Sequence, residues 1–286
     1  VYLASSPATI NVTGLPTGIA AVNNAGTITI SGNAVTPGTY NYSIVLTATC
    51  GQLTRTGTII VNAAPTVAFN VMGPACMERN TLFADASTPN SGTINNWQWN
   101  FGDPSGSQNT STLQNPSHLY TNSGIYQVTL NVTTDKGCVG IPIIQPVTVN
   151  KRPNAGFILP EVCLLDPFAQ FTDTSRMEAP GTITAWSWNF GDPASGANNT
   201  STAQNAIHTY GTATSFNVQL VATSNVGCTD TVRSQLTVNG GNPVADALVL
   251  NAASLCVKDS VAVQNKSSIT QGIITKLEIY WDNTIP

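Results

Sequence analysis

The chain has 286 residues, of which 41% are hydrophobic and only 8% charged, with a net charge of −4. That charged fraction is far below the ~25% of an ordinary soluble protein, so solubility rests on Thr, Asn, Ser and Gln, which with Val and Ile favour strands and turns over helices. Lys and Arg total 10 and form no run, which excludes an electrostatic footprint for nucleic acid or an anionic membrane, and no apolar stretch reaches the roughly 20 residues that span a bilayer.

Residues 1–63 carry turn signals at Pro16-Thr17-Gly18, Asn23-Asn24 and Pro37-Gly38. They also carry one long alternating segment, with Tyr40, Tyr42, Ile44, Leu46 and Ala48 on one side. A period of two is that of a half-buried strand. A proline joint follows at Asn62–Pro65. The segment 64–150 then presents Trp97-Gln98-Trp99-Asn100-Phe101-Gly102-Asp103-Pro104, a Ser/Asn-rich insert from Ser105 to Thr112, and His118-Leu119-Tyr120. It ends on an alternating strand with Tyr126, Val128, Leu130 and Val132 on one face, closed by Gly137-Cys138.

A second joint at Asn150–Pro153 opens a copy of all this in 151–239. Trp186, Trp188, Phe190, Asp192, His208, Tyr210 and Cys228 return in register, with Trp186 standing 89 residues after Trp97. After a third joint, Asn239–Pro243, a further copy begins in 240–286. Cys256 aligns with Cys163 and Cys76, and Tyr280-Trp281-Asp282 is similar to the Trp-rich strand. The first and last segments are expected to be incomplete domains. No long segment has helical periodicity. The predicted class is all-β, as tandem antiparallel sandwiches in an elongated rod.

The residues that could carry chemistry also repeat. A triad needs its nucleophile, base and orienting acid assembled once, so His118 and His208, at equivalent places, are expected to do a structural job. Asp103 and Asp192 can fix a turn by accepting backbone N–H bonds; calcium is the sharper alternative, weakened by the low density of acids. Trp97 with Trp99 and Trp186 with Trp188 share a face because their spacing is two, and that face is expected to be core, with Phe101 and Phe190 in the same motif. An exposed aromatic platform for sugar is the rival reading. The inserts at Ser105–Thr112 and Ser195–Thr202 are expected surface loops, the first place to look for ligand contact. Asn-x-Ser/Thr sequons occur at Asn11, Asn41, Asn109, Asn131, Asn199 and Asn265, as composition alone would produce.

Six cysteines are present. Equal placement in the repeats suggests Cys76–Cys138 and Cys163–Cys228, one bridge within each complete domain. Cys50 and Cys256 are left over, and their partners are expected outside this stretch of chain; a reactive thiol or a bridge between chains is the alternative. No pair has zinc-ligand spacing.

The Trp-x-Trp-Asn-Phe-Gly-Asp strand, the Asn-Pro-Ser-His-Leu-Tyr segment that ends at Tyr120, and the strand from Gly124 to Leu130 resemble the PKD domain. That family has an immunoglobulin-like sandwich and occurs in extracellular proteins. The Gly-Asp-Pro-x-Ser-Gly elaboration and the Gly-Cys turn are similar to those of surface proteins in gliding Bacteroidota. Residues 1–63 resemble the immunoglobulin-like repeats that accompany them. The resemblance implies a non-catalytic spacer of a bacterial cell-surface adhesin or appendage, exported by the type IX route, with a protein or glycan ligand or copies of itself as partner. An accessory module of a secreted hydrolase is the alternative, and a lectin acting through the Trp strands is a third reading. Asp230-Thr231-Val232 and Asp259-Ser260-Val261 resemble O-glycosylation sites of the same bacteria.

Overall fold

The computed structural model describes residues 9–24, 27–106, 108–166, 168–241, 243–251, 260–269, 273–274 and 276–279. The chain divides into two compact units, Val1–Val149 and Asn150–Pro286.

The first unit opens with strands β1 (Thr9–Thr13), β2 (Ile19–Asn24), β3 (Thr27–Gly32), β4 (Gly38–Ala48) and β5 (Gly51–Val61). An antiparallel sheet runs β1-β4-β5, and β2 pairs with β3 as a separate hairpin. Tyr40, Tyr42, Ile44, Leu46 and Ala48 are all half-buried along β4, but so are Ser43 and Val45, so the expected alternation holds only toward the strand ends, at Asn41 and Thr47. There is no closed core: Pro16 is the one buried residue among those described up to Val61.

A sandwich follows in the same unit, built from β6 (Phe69–Met72), β7 (Asn80–Asp85), β8 (Ile94–Asn100), β9 (Thr110–Ser111), β10 (Ser117–Leu119), β11 (Gly124–Thr134) and β12 (Ile143–Val149). One sheet runs β10-β7-β6 and the other β12-β11-β8-β9. Strand β11 forms because its apolar residues fall on every second position, and Val128, Leu130 and Val132 are buried as that pattern requires. Trp99 on β8 lies opposite Leu130 and meets Phe69 edge-on, ring centroids 5.2 Å apart. Phe83 and Phe101 complete the aromatic centre of this core.

The second unit repeats the plan with β13 (Phe157–Ile158), β14 (Val162–Cys163), β15 (Ala169–Asp173), β16 (Ile183–Asn189), β17 (Thr200–Ser201), β18 (Ala206–His208), β19 (Ser215–Ser224) and β20 (Thr229–Asn239). Its sheets are β13-β15-β18 and β14-β20-β19-β16-β17. Short β14 runs parallel to β20; the other strand pairs are antiparallel. Phe171, Trp188, Phe190, Val218 and Leu220 are buried here as their counterparts are in the first sandwich. A 3₁₀ stretch at Pro193–Asn199 overlaps the second Ser/Asn-rich insert, and it is the one helical element among the described residues. Strands β21 (Ala247–Val249) and β22 (Val263–Asn265) form an exposed antiparallel pair. Cys256 and Tyr280-Trp281-Asp282 lie outside the described residues.

The Phe-Gly-Asp turn needs glycine for two reasons. Gly102 has φ +69, and a Cβ there would come within 2.5 Å of the Gln127 carbonyl oxygen. Gly191 repeats both, with φ +73 and the same approach to the Asn217 carbonyl. Gly137 has φ +76 but open space around it. Backbone strain alone is worth about 1–3 kcal/mol. Urea unfolding is therefore expected to show Gly102→Ala destabilised by more than that, because of the added steric clash, and Gly137→Ala destabilised within that range.

Candidate functional site

Strand β8 ends in the motif that sequence reading singled out. Period two puts Trp97, Trp99 and Phe101 on one face, and depth separates their roles. Trp99 is fully buried, and its indole N–H donates to the Leu113 carbonyl at 2.9 Å. Trp97 is half-buried at the rim and donates to Asp85 Oδ2 at 2.8 Å. In the second sandwich Trp188 donates to the Ala203 carbonyl and Trp186 to Asp173 Oδ2, each at 2.8 Å. A buried indole needs such a partner, and here the outer indole has one too.

Beyond the strand the chain turns and buries a charge. Asp103 is 1% exposed. Its Oδ1 accepts from Ser105 Oγ at 2.7 Å, Gly106 N at 3.1 Å and Ser105 N at 3.2 Å. Its Oδ2 faces His118 Nε2 at 3.1 Å. The His118 ring stacks on Phe101, centroids 4.5 Å apart and 13° from parallel. Tyr120 meets that imidazole edge-on at 4.5 Å, and Tyr126 packs on Tyr120 at 4.2 Å. The Tyr120 hydroxyl donates to the Phe101 carbonyl at 3.0 Å. The second copy matches within a tenth of an ångström or so: Asp192 Oδ2 to His208 Nε2 is 3.1 Å, Phe190 to His208 4.6 Å, and Tyr210 Oη to the Phe190 carbonyl 3.0 Å.

Two opposed effects act on the Asp103 carboxyl. Burial favours its neutral form, but the Ser105 hydroxyl, His118 and the Ser105 amide stabilise the anion, and the net result holds its pKa below the ordinary carboxylate value. Burial pushes the Tyr120 and Tyr210 phenols well above the usual tyrosine range, with the neighbouring carboxylates adding to the shift.

This wiring is not that of a Ser–His–Asp triad. Ser105 Oγ donates to the aspartate and not to the imidazole, whereas a triad serine donates to the histidine. The equivalent Ser195 hydroxyl goes instead to the Asp192 main-chain carbonyl at 2.7 Å. Calcium, the sharper reading of Asp103 and Asp192, meets donor hydrogens at Asp103 where it would need free oxygens. Among the described residues no group of three or more His, Cys, Asp or Glu side chains converges as a metal set.

The inserts are tied at their base. Asn109 Oδ1 accepts from Asp103 N and Asn199 Oδ1 from Asp192 N, each at 2.7 Å. These two sequon asparagines thus close a loop with their own amides. Asp230, in one of the O-glycosylation-like motifs, pairs with Arg152 and accepts from Ala155 N at 2.9 Å. In the second sandwich the insert also borders a shallow groove lined by Phe168, Asn198, Thr200, Ser201 and Ile207. Phe168 and Ile207 are exposed there, where the first sandwich has Asn80 and Ser117.

The cysteine expectation is corrected. Cys138 and Cys163 are free thiols, whereas Cys76 and Cys228 are disulfide-bonded. Bridges Cys76–Cys138 and Cys163–Cys228 are therefore not formed, and strand geometry explains why. Cys163 lies level with Asn239, the last residue of the 11-residue strand β20, and Cys228 immediately precedes its first. At ~3.3 Å per residue that is roughly 35 Å, against the ~7 Å limit for the Cα atoms of a bridge. In the first sandwich Cys76 lies near Tyr120, whose carbonyl accepts from Glu78 N at 2.7 Å. Cys138 sits past the other end of β11, bonded to Thr134. Cys50 is an exposed free thiol; Cys256 lies outside the described residues.

Sequence reading missed Asp85 and Asp173, which hold the outer tryptophans. The signal was available: Asp85-x-Ser87 and Asp173-x-Ser175 repeat as faithfully as the Trp motif.

The family model described as PKD domain matches residues 62–149 and 150–239. Among solved structures, the chain is similar to the PKD1 domain of the Vibrio cholerae metalloprotease PrtV at 31% identity, covering 31% of this chain and 99% of that one, TM-score 0.27. It is similar to the PKD1 domain of Vibrio anguillarum Epp at 24% identity, covering 31% and 95%, TM-score 0.27. The I67–I69 I-band fragment of titin is 13% identical, covering 82% of this chain and 89% of that one, TM-score 0.36.

Two outcomes follow from the buried cluster. A carboxylate with a lowered folded pKa contributes stability that is present above the unfolded value of about 3.9 and lost as pH falls through the folded one. Asp103→Asn is expected to be less stable at neutral pH by about 1–3 kcal/mol, the cost of unmade buried hydrogen bonds; it should also unfold with a weaker acid dependence below about pH 4, measured by urea titrations across pH. The phenols have raised pKa values, so their contribution is present below the unfolded value of about 10 and lost as pH rises. An ultraviolet titration should show Tyr120 and Tyr210, two of seven tyrosines, ionising only as the protein unfolds.

Proposed function

This chain belongs to the PKD-domain family, and from that membership we propose that it is a non-catalytic structural and adhesive segment of a secreted bacterial cell-surface protein. PKD domains are typically non-catalytic extracellular modules, which accords with a structural or binding segment. The observation that carries the reading is the duplication of the buried Asp–His–Tyr cluster. Each sandwich uses its own histidine and carboxylate to fasten one end of its own core, which leaves neither for substrate.

In this reading the segments 1–63, 64–150, 151–239 and 240–286 are successive spacer domains of a longer adhesive protein. Adhesion or gliding, with export by the type IX route, is the setting the sequence resemblance implies. What repeats serves the fold; what differs is available to a ligand. Phe168 and Ile207 beside the second insert are the exposed apolar departures at that groove, and they present a ring and a branched alkyl group among Asn, Ser and Thr. A surface of that kind takes a sugar ring or a peptide side chain. The second reading is an accessory binding module of a secreted hydrolase.

The purified chain, added in excess, is expected to compete with attachment of the source cells to their surface, and to turn over no peptide, ester or glycoside reporter. Competition weakened tenfold or more in Phe168→Ala would assign the groove. Hydrolysis that disappears in His118→Ala would overturn the non-catalytic reading. Retention on an insoluble polysaccharide or protein substrate, without competition for cell attachment, would favour the hydrolase accessory.

A further inference from the structure

The two buried carboxylates are not wired alike. In the first sandwich Asp103 Oδ1 takes three donors, all from Ser105 and Gly106. In the second, one more residue separates the aspartate from the asparagine that ties the insert: seven positions from Asp192 to Asn199, against six from Asp103 to Asn109. Ala194 therefore stands two places after the carboxylate, where the first copy has Ser105. Alanine brings no hydroxyl. Ser195 turns its own hydroxyl and amide to the Asp192 main-chain carbonyl, at 2.7 and 3.1 Å. Asp192 Oδ2 keeps His208, while Oδ1 has no donor among the described residues. Asp192 is 8% exposed, against 1% for Asp103, so the second carboxylate is still deeply buried yet has an opening that the first lacks. His208, which holds that carboxylate, and Ser195, which bonds its main chain, both line the groove with Phe168, Asn198 and Thr200.

Taking the groove as the ligand face, we propose that it is a saccharide subsite, in which Asp192 Oδ1 accepts a hydrogen bond from a hydroxyl of a neutral pyranose whose C–H face packs on the Phe168 ring. A carboxylate only accepts, so its ligand must bring donor hydrogens, and a hydroxyl aimed at a buried anion makes one of the stronger hydrogen bonds. An oxygen buried without a donor is costly, and the ligand offsets that cost. A pyranose carries hydroxyls around its rim and C–H groups on its faces. The Asn198 amide and the Thr200 hydroxyl both donate and accept, which suits neighbouring sugar hydroxyls, and exposed Phe168 and Ile207 supply the apolar floor. A lysine ammonium would also satisfy the oxygen, but a single charge makes no use of the amide and hydroxyl groups arrayed around it. The first sandwich lacks both halves of the subsite: its carboxylate is filled by its own loop, and Asn80 and Ser117 stand where Phe168 and Ile207 do.

The test is titration of the whole chain with oligosaccharides of glucose and of N-acetylglucosamine, and with Nα-acetyl-lysinamide, by calorimetry and ligand-detected NMR. One of the saccharides is expected to bind at one site per chain. Its affinity should fall by about tenfold or more in Phe168→Ala, which alters an exposed ring and should fold, and in Asp192→Asn; Asp103→Asn should leave it unchanged. Deletion of Ala194 restores a serine two places after Asp192. It is expected to close the subsite, weakening saccharide binding to the same extent while raising resistance to urea, which separates loss of the site from loss of the fold. Saccharide binding that depends on Phe168 but survives both Asp192→Asn and the Ala194 deletion would overturn the role of the carboxylate and leave the groove as the ligand face. Binding of the lysine amide alone, or of none of these probes, would overturn the saccharide assignment. The adhesive reading falls separately, on failure to compete with cell attachment.

Discussion

One buried carboxylate holds the end of each PKD sandwich. Asp103 lies out of water at the close of β8, and a charge in that position is tolerable only when donors surround it. The donors come from the insert that follows and from β10 in the opposite sheet. Two sheets and a loop are thus fastened at one point. The imidazole that faces the carboxylate also fills the step between Phe101 and Tyr120, so polar satisfaction and aromatic packing depend on the same ring. The Trp-rich strand, the glycine turn and the tyrosine that returns to the Phe101 carbonyl all take their positions from this knot.

Much of this was legible in the sequence because it repeats. Alternation along Tyr126–Thr133 specifies a strand with one buried face. A motif returning 89 or 90 residues later marks Trp99, Phe101, Asp103, His118 and Tyr120 as domain furniture. What could not be read was who meets whom. Repetition marks His118 as structural without naming its partner, which is Asp103, fifteen residues away in the chain. Strand pairing, which brings β10 to β7 in the facing sheet, has no signature in local periodicity. The outer tryptophans are a similar case. Spacing two gives a shared face, but depth along that face depends on the facing sheet.

The cysteines show how a repeat can mislead. Identical placement in two copies says that a position matters, and it is silent on which end of the sandwich the position occupies. Counting strand lengths settles it: β20 alone separates Cys163 from Cys228 by more than a bridge can span. The result changes the mechanical picture of each domain. Its cohesion comes from the aromatic core and the buried Asp–His pair, with no in-domain bridge beside them.

The account turns on the coupling between Asp103 and His118. A double-mutant cycle with Asp103→Ala, His118→Ala and the double variant, read by urea unfolding at neutral pH, measures it directly. The predicted result is a coupling of about 1–3 kcal/mol, with each single variant nearly as unstable as the double. Additive single losses, or variants that unfold with the wild type, would mean that this pair does not hold the sandwich together.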